Sequence, residues 1–401
     1  MIKTNIGNEE QLLLLLAKKR EFKDDEKAEI RSRIAKITDW DYFLKRSFET
    51  NLAPLIKRGF AKSSNLSIPE DVLQALKTYQ QKIIVHNLQL YKALEDVGLA
   101  LNKAAIDFIP LKGMMLAEIV YGDVGLRQTS DIDLLVKHEK VEACKDVLIH
   151  LGWTCKAVVW KNQDETNVKK AHPYVFRKGN AVIELHQHIH NYGMTYTVDI
   201  REYWDRANSL NFLKGKAYFL YPADLLQHLC LHTYKHLKGK EIKISSFVDF
   251  AEVINYYKDL IHWEQLRLNS IRYGCLPEVQ GILAIAKKYW DAAVPDDFLN
   301  DCVTDDLILT EELFLQKLHK PFVENFNIYA FKQRLKAGNG RNSLKTLYED
   351  IFPSKKFMIN RYAIKHSISV YFYYIYRWWI IFGKIIRFIG WKLKTFFVRG
   401  K

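Results

Sequence analysis

The sequence predicts a mixed α+β fold, in which a small sheet core is flanked by helical regions on both sides. Apolar residues recur at helical spacing before residue 105 and again after residue 221, and short runs rich in Ile, Leu and Val lie between these regions. The pattern predicts an N-terminal helical region at 1–104, an α/β core at 105–220, a second helical region at 221–335 and a basic aromatic tail at 344–401.

The N-terminal region carries three helix signals. Leu12 to Leu16 form an apolar block, and Pro69 is followed by two acids, Glu70 and Asp71, at the positive end of a helix dipole. A stripe at helical spacing comprises Ile84, Leu88, Tyr91 and Leu94. We expect helices here and no chemistry.

The central region alternates strand-like and helix-like segments. The strand-like runs are 106–111, 131–136, 154–160, 174–177 and 181–188, and the helical runs are 114–121 and 141–151. Gly152 suits a helix C-terminal cap, and Gly179 suits the turn of a hairpin. The region is therefore expected to form a sheet with at least one hairpin.

Helices are expected again from Pro222 onward. The further helical runs are 247–257, 263–272, 277–290 and 305–318. Residues 336–343, rich in Gly and Asn, form the best linker candidate.

Composition excludes several classes of protein. The 401 residues are 48% hydrophobic, which rules out a disordered chain, a collagen-like repeat and a disulfide miniprotein. Five scattered cysteines without a CxxC motif, and a polar N-terminus without a secretory signal, favour a cytoplasmic protein with reduced thiols.

The sharpest chemical motif is the pair Asp131 and Asp133. Residues two apart on a strand point to the same face, so these carboxylates would project together and repel. A divalent cation such as Mg²⁺ or Mn²⁺ is the natural counterion for such oxygen ligands. The alternative is a strand end that exposes two solvated acids.

The context of the pair favours a phosphate-binding site. Lys112 and Gly113 stand where a strand turns into a helix, a position at which free backbone N–H groups can face a phosphate. Arg127 could hold a phosphate or form a salt bridge to Asp131, and Glu184 is a third acid on a later strand. Three carboxylates opposite a glycine turn are the minimum set for metal-assisted phosphoryl transfer.

The segment from Pro110 to Trp153 resembles the uncharacterised nucleotidyltransferase family, which belongs to the DNA polymerase β-like superfamily. The resemblance rests on Leu111-Lys112-Gly113, Tyr121, Arg127, the run Asp131 to Val136, and Gly152. Glu184-Leu185-His186 resembles the third acidic element of the family, and Asp249 resembles part of its helical region. The resemblance implies a small polymerase β-like sheet core.

The resemblance also implies an activity, namely transfer of NMP from an NTP to an acceptor hydroxyl with release of pyrophosphate. It implies that the catalytic and metal-binding residues are Asp131, Asp133 and Glu184, with Mg²⁺ or Mn²⁺ as the ion. It implies that the nucleotide-binding residues are Lys112, Gly113, Arg127 and Ser130. The acceptor is left open among a glycan, a small molecule, a peptide and an RNA.

Two other functions remain open at this point. Met114 follows Gly113, so the turn lacks the serine common in the superfamily, which favours a non-catalytic adaptor with a degenerate transferase core. Two histidine groups, at 186–190 and 228–236, have the residue type for zinc but no HExxH motif. Without a zinc site, His186 and His232 are expected to contact substrate or to orient a carboxylate.

The tail carries most of the net positive charge. The net charge is +14, and residues 351–401 contain eleven Lys or Arg and no acid. Aromatics interleaved with cations at 368–398 suit a helix that lies on an anionic membrane surface, one that packs on the body of the protein, or one that binds nucleic acid. The sequence therefore predicts a cytoplasmic protein, which would be membrane-peripheral if the tail lies on a membrane surface.

Overall fold

The described part of the chain covers most of the N-terminal region, of the core and of the second helical region. The computed structural model describes residues 6–18, 22–63, 66–156, 174–189, 196–238, 243–300 and 304–319, together with Tyr371 and Tyr374. The linker prediction at 336–343 and the tail prediction, apart from these two tyrosines, lie outside the described residues. The domain division and the membrane contact therefore stay predictions.

Five helices precede the sheet in these ranges. They are α1 (Asn8–Leu16), α2 (Asp24–Ile34), α3 (Trp40–Glu49), α4 (Ala53–Lys62) and α5 (Glu70–Lys103). The 34-residue α5 begins directly after Pro69, as the sequence predicted. The predicted stripe on α5 is wrong at Leu88, which is 53% exposed, because Asn87 faces inward instead and donates hydrogen bonds to backbone carbonyls.

A five-stranded mixed sheet forms the centre of the fold. Its strands are β1 (Phe108–Pro110), β2 (Ile132–Val136), β3 (Thr154–Lys156), β4 (Tyr174–Lys178) and β5 (Ala181–His186), in the spatial order β1-β2-β5-β4-β3. The central pair, β2 and β5, is parallel, and the other pairs are antiparallel. Between β2 and β3 lies α6 (Val141–His150), followed by Gly152 at a φ of +80°. The predicted sheet and the β4–β5 hairpin are confirmed.

After the sheet come a helix and a hairpin, neither of which the sequence predicted. They are α7 (Ile200–Arg206), β6 (Asn208–Phe212) and β7 (Gly215–Phe219). The strand β6 reads Asn-Ser-Leu-Asn-Phe and is exposed over its first four residues, so it lacks the apolar alternation that marks a strand. The turn residue Leu213 adopts a φ of +54° without being glycine.

The second helical region matches the predicted helices closely. Its described helices are α8 (Pro222–Lys238), α9 (Ser245–Tyr257), α10 (Trp263–Arg272), α11 (Leu276–Trp290), α12 (Asp296–Leu299) and α13 (Thr304–His319). One cluster of buried apolar side chains runs from Leu12 to Leu318 and joins these helices to the sheet. The four described cysteines are all free thiols. Among the described residues, no helix is both long and apolar enough to cross a membrane.

Candidate active site

The parallel pair β2 and β5 brings the predicted acids together. Asp133 on β2 lies directly opposite Glu184 on β5 in the strand register. His186 stands two residues beyond Glu184, so both project from the same face of β5. Asp131 lies just before β2 begins and not on the strand, which is one residue shorter than predicted.

Asp133 is the centre of the site, and it is buried. Only 4% of the residue is exposed, so the alternative of a strand end that exposes solvated acids is wrong at this position. The Lys112 ammonium lies 2.7 Å from Oδ2 of Asp133, and Nε2 of His186 lies 3.1 Å from Oδ1. The same Nε2 lies 3.6 Å from Oε2 of Glu184. A carboxylate can be buried here because two positively charged or hydrogen-bonding groups face it.

The two aspartates differ in their ionisation. Burial alone would raise the pKa of Asp133, but the Lys112 charge and the His186 hydrogen bond hold this pKa well below its usual range. Burial and the charge of Asp133 raise the pKa of Asp131. The hydrogen bond from His186 lowers the pKa of Glu184. Asp133 and Glu184 are therefore held as carboxylates, as metal ligands must be.

The histidine and the lysine beside Asp133 both have raised pKa values. Burial would lower the pKa of Lys112, but the charges of Asp133 and Asp131 raise it. Burial would also lower the pKa of His186, but its hydrogen bonds to Asp133 and Glu184 raise it. The Lys112 ammonium thus compensates part of the negative charge of the acidic centre.

The glycine turn lies against the acids, as predicted. Gly113 has a φ of +66°, and a Cβ placed on it would lie 3.0 Å from Cγ2 of Thr129 and 3.5 Å from the carbonyl oxygen of Asp131. A short helix follows, in which the Ala117 N–H donates to the Gly113 carbonyl and residues 116–120 form a π-helical turn. Glycine fits because the turn needs a positive φ and leaves little room for a side chain.

Arg127 is placed differently from the prediction. Its guanidinium donates from Nε and Nη2 to the two carboxylate oxygens of Asp249 on α9, at 2.9 and 2.8 Å, and no described ion pair joins it to Asp131. The Tyr121 hydroxyl donates to the same carboxylate at 2.8 Å. Asn87 of α5 donates to the Arg127 carbonyl at 2.9 Å. These bonds fix the loop that leads into Asp131, so Arg127 holds the loop in place through Asp249.

The helical region supplies further basic groups that the sequence reasoning missed. Lys243, just before α9, donates to the Ser130 hydroxyl at 3.2 Å, and Ser130 in turn donates to Asp131. Burial lowers the pKa of both Lys243 and Lys235. A nearby acid opposes this shift only in part, namely Asp131 for Lys243 and Glu184 for Lys235. The only sequence signal for Lys235 was its place among the α8 histidines, and Lys243 had none.

The α8 histidines line the same region without forming a metal centre of their own. His232 and His236 approach within 3.2 Å between their Nε2 atoms. Burial and the Lys112 charge lower the pKa of His232 and bring that of His228 to about 3, so both are neutral at pH 7. The charges that act on His232 include those of Lys112 and Asp133, while its expected contact with substrate stays a prediction.

One group of three side chains has the chemistry of a metal site. Within the described ranges, donor atoms of Asp133, Glu184 and His186 lie within 4.8 Å of one another, which is close enough for the three to hold one metal ion. Two carboxylate oxygens and an imidazole nitrogen suit a divalent cation. The group differs from the predicted one because His186 takes the place of Asp131.

The fold and this site define a mixed α+β protein with a candidate acidic metal centre. A model of the uncharacterised nucleotidyltransferase family matches residues 36–291, or 256 of the 401 residues. The chain therefore belongs to the uncharacterised nucleotidyltransferase family, as its sequence motifs indicated. Comparison with curated proteins gave no match, and comparison with solved structures gave none.

Proposed function

We propose that this protein transfers a nucleoside monophosphate from an NTP to an acceptor hydroxyl and releases pyrophosphate. The observation that carries the proposal is the register of β2 and β5, which sets Asp133 opposite Glu184 beside the glycine turn. Membership of the nucleotidyltransferase family supports this assignment. The acceptor is an alcohol of unspecified class among glycans, small molecules, peptides and RNA.

The residues present fit a divalent cation, Mg²⁺ or Mn²⁺. Asp133 and Glu184 would hold it, and Asp131 lies near enough to influence the same carboxylates. When bound, such an ion neutralises charge on the phosphate oxygens and so favours attack at phosphorus. Lys112 would then be free to face the outer phosphates, beside the backbone of Gly113.

Three lysines around three acids indicate a polyanionic substrate. Lys112 contacts Asp133, Lys243 contacts Ser130 beside Asp131, and Lys235 experiences the charge of Glu184. Metal binding alone does not explain these lysines, because each positive charge weakens the attraction of the carboxylates for a metal ion. They are explained if a triphosphate enters the site and takes over their pairing. Ser130 would add a hydroxyl to the same end of the site.

Glu184 is the carboxylate best placed to meet the acceptor. Its side chain is 33% exposed, whereas that of Asp133 is 2% exposed. A group that accepts the proton of an incoming hydroxyl must be reachable by that hydroxyl. We therefore assign Asp133 to holding the metal and Glu184 to both metal binding and activation of the acceptor.

The test is a transfer assay with each of the four labelled NTPs, a divalent cation and a cell extract as the source of acceptor. The proposal predicts a labelled product that appears with metal and disappears with EDTA. Glu184→Gln should abolish labelling while it leaves the fold intact, because this side chain is partly exposed. Asp107→Asn is the matched control, since Asp107 is exposed and its nearest cation, Lys137, is 4.0 Å away.

The outcomes separate the enzyme from the adaptor. Metal-dependent labelling that Glu184→Gln abolishes and Asp107→Asn preserves supports the enzyme. Absence of labelling together with absence of metal-dependent NTP binding would support the degenerate-core adaptor. Labelling that survives Glu184→Gln would refute the assigned mechanism.

A further inference from the structure

The imidazole of His186 faces two carboxylates with a single nitrogen atom. Nε2 lies 3.1 Å from Oδ1 of Asp133 and 3.6 Å from Oε2 of Glu184, and its side chain is only 17% exposed. A histidine that merely oriented one acid would need only one of these contacts. Here one imidazole nitrogen and two carboxylate oxygens converge on the same small volume.

The backbone fixes this convergence. Glu184 and His186 are two residues apart on β5, and Asp133 is opposite Glu184 on the neighbouring parallel strand. Strand residues at these positions share one face at a spacing that the sheet dictates, so the three donors are preorganised and do not depend on loop conformation. Asp131, which precedes β2, is not a member of this group.

The donor set has consequences for the identity of the ion. Mg²⁺ prefers oxygen ligands in near-ideal octahedral geometry and gives up its waters reluctantly, whereas imidazole nitrogen suits first-row transition ions. Two carboxylates keep the set hard enough for Mn²⁺, and no described cysteine joins the group to favour a softer ion. A nitrogen ligand therefore discriminates between the two ions that the acids alone accept.

We propose that His186 is a direct ligand of the metal and gives the site a preference for Mn²⁺ over Mg²⁺. The proposal rests on the proposed function for the presence of a metal, but it makes no use of the transfer reaction. Ion binding is measured on the full-length protein without nucleotide, so failure of the transfer assay leaves this test intact.

The first measurement is the electron spin-echo signal of Mn²⁺ bound to the wild-type protein. A directly coordinated imidazole gives a ¹⁴N coupling, and an all-oxygen site gives none. The proposal predicts the coupling in the wild type and its loss in His186→Gln, whose amide oxygen has a similar reach. Mn²⁺ bound without a nitrogen coupling overturns the proposal, and so does a wild-type protein that binds no Mn²⁺.

The second measurement compares affinities for the two ions by titration. We expect the wild type to bind Mn²⁺ about tenfold or more tightly than Mg²⁺, and His186→Gln to lose about tenfold for Mn²⁺ while Mg²⁺ affinity stays within about threefold. His150→Gln is the control, since His150 is an exposed residue on α6 and bonds only the Asp146 carbonyl among described contacts. Equal losses for both ions would assign His186 to positioning Asp133 and would overturn the proposal.

Discussion

Replacing Lys112 with Met tests whether its ammonium occupies the position that a metal ion would take. The Lys112 and Asp133 side chains are 14% and 2% exposed and lie 2.7 Å apart. Removing one partner of a buried ion pair costs about 3–5 kcal/mol because the remaining charge is left without compensation. Asp133 keeps its contact with His186, so we expect the lower figure, about 3 kcal/mol, when EDTA is present.

The same variant should regain stability when a divalent cation is added. A ligand that binds only the folded state at about 100 times its Kd adds about 2.7 kcal/mol. In the wild type this gain is reduced, since the ion must first displace the Lys112 ammonium. The difference in unfolding free energy between Lys112→Met and the wild type should therefore shrink to about 1 kcal/mol or less in saturating Mn²⁺.

The assay is urea unfolding followed by circular dichroism, in EDTA and in Mn²⁺, for both proteins. Lys92→Met serves as the control because Lys92 forms a solvent-exposed ion pair, which contributes little to stability. NTP affinity in the presence of metal should fall in Lys112→Met and stay unchanged in the control. A loss of stability that is the same with and without Mn²⁺ would refute the idea that Lys112 and the metal compete for Asp133.

Three further predictions concern the surroundings of the site. Arg127→Met should lower the unfolding free energy by about 3–5 kcal/mol in urea titrations by stranding the buried Asp249 charge, and the double variant with Asp249→Leu should recover much of the loss. Gly113→Ala should cost about 1–2 kcal/mol of unfolding free energy, because it puts a side chain at a positive φ and against Thr129. The loss of binding free energy for NTP, obtained from the Kd, should be larger than this loss of unfolding free energy. The pKa of His228 is about 3 in the folded protein and about 6.5 in the unfolded chain, so the unfolded state alone binds the proton between these values and stability falls as pH drops below 6.5. Between pH 7 and pH 5 the wild type should lose about 2 kcal/mol more than His228→Leu, and equal losses would contradict this.

Local patterns were sufficient to predict most of the elements. The helices α8 to α11 and α13 were anticipated because prolines and apolar periodicity mark them, and the strands β2 and β5 because Ile, Leu and Val dominate them. The hairpin β6–β7 was missed because its first strand is polar and exposed, and its turn residue is Leu213. Tertiary packing, which the local sequence does not report, holds that hairpin in place.

The acids of the site could be predicted from the sequence, but the side chains that pair with them could not. Asp133 and Glu184 could be named from short motifs, and the strand register confirmed their proximity. The burial of Asp133 could not be foreseen, because it depends on Lys112 and His186 arriving from other segments. The pairing of Arg127 with a helix 122 residues away is equally long-range, and no local pattern indicates it.

Metal-dependent NTP binding to the purified protein tests the central claim most directly. The measurement is equilibrium dialysis of each labelled NTP against the wild type and Asp133→Asn, with Mn²⁺ and with EDTA, after circular dichroism has verified that the variant is folded. We expect that at least one NTP binds the wild type in Mn²⁺, that EDTA abolishes this binding, and that Asp133→Asn abolishes it even with Mn²⁺. Binding that is equally tight in EDTA, or that persists in folded Asp133→Asn, would contradict the assignment of Asp133, Glu184 and His186 as the metal centre of a nucleotide site.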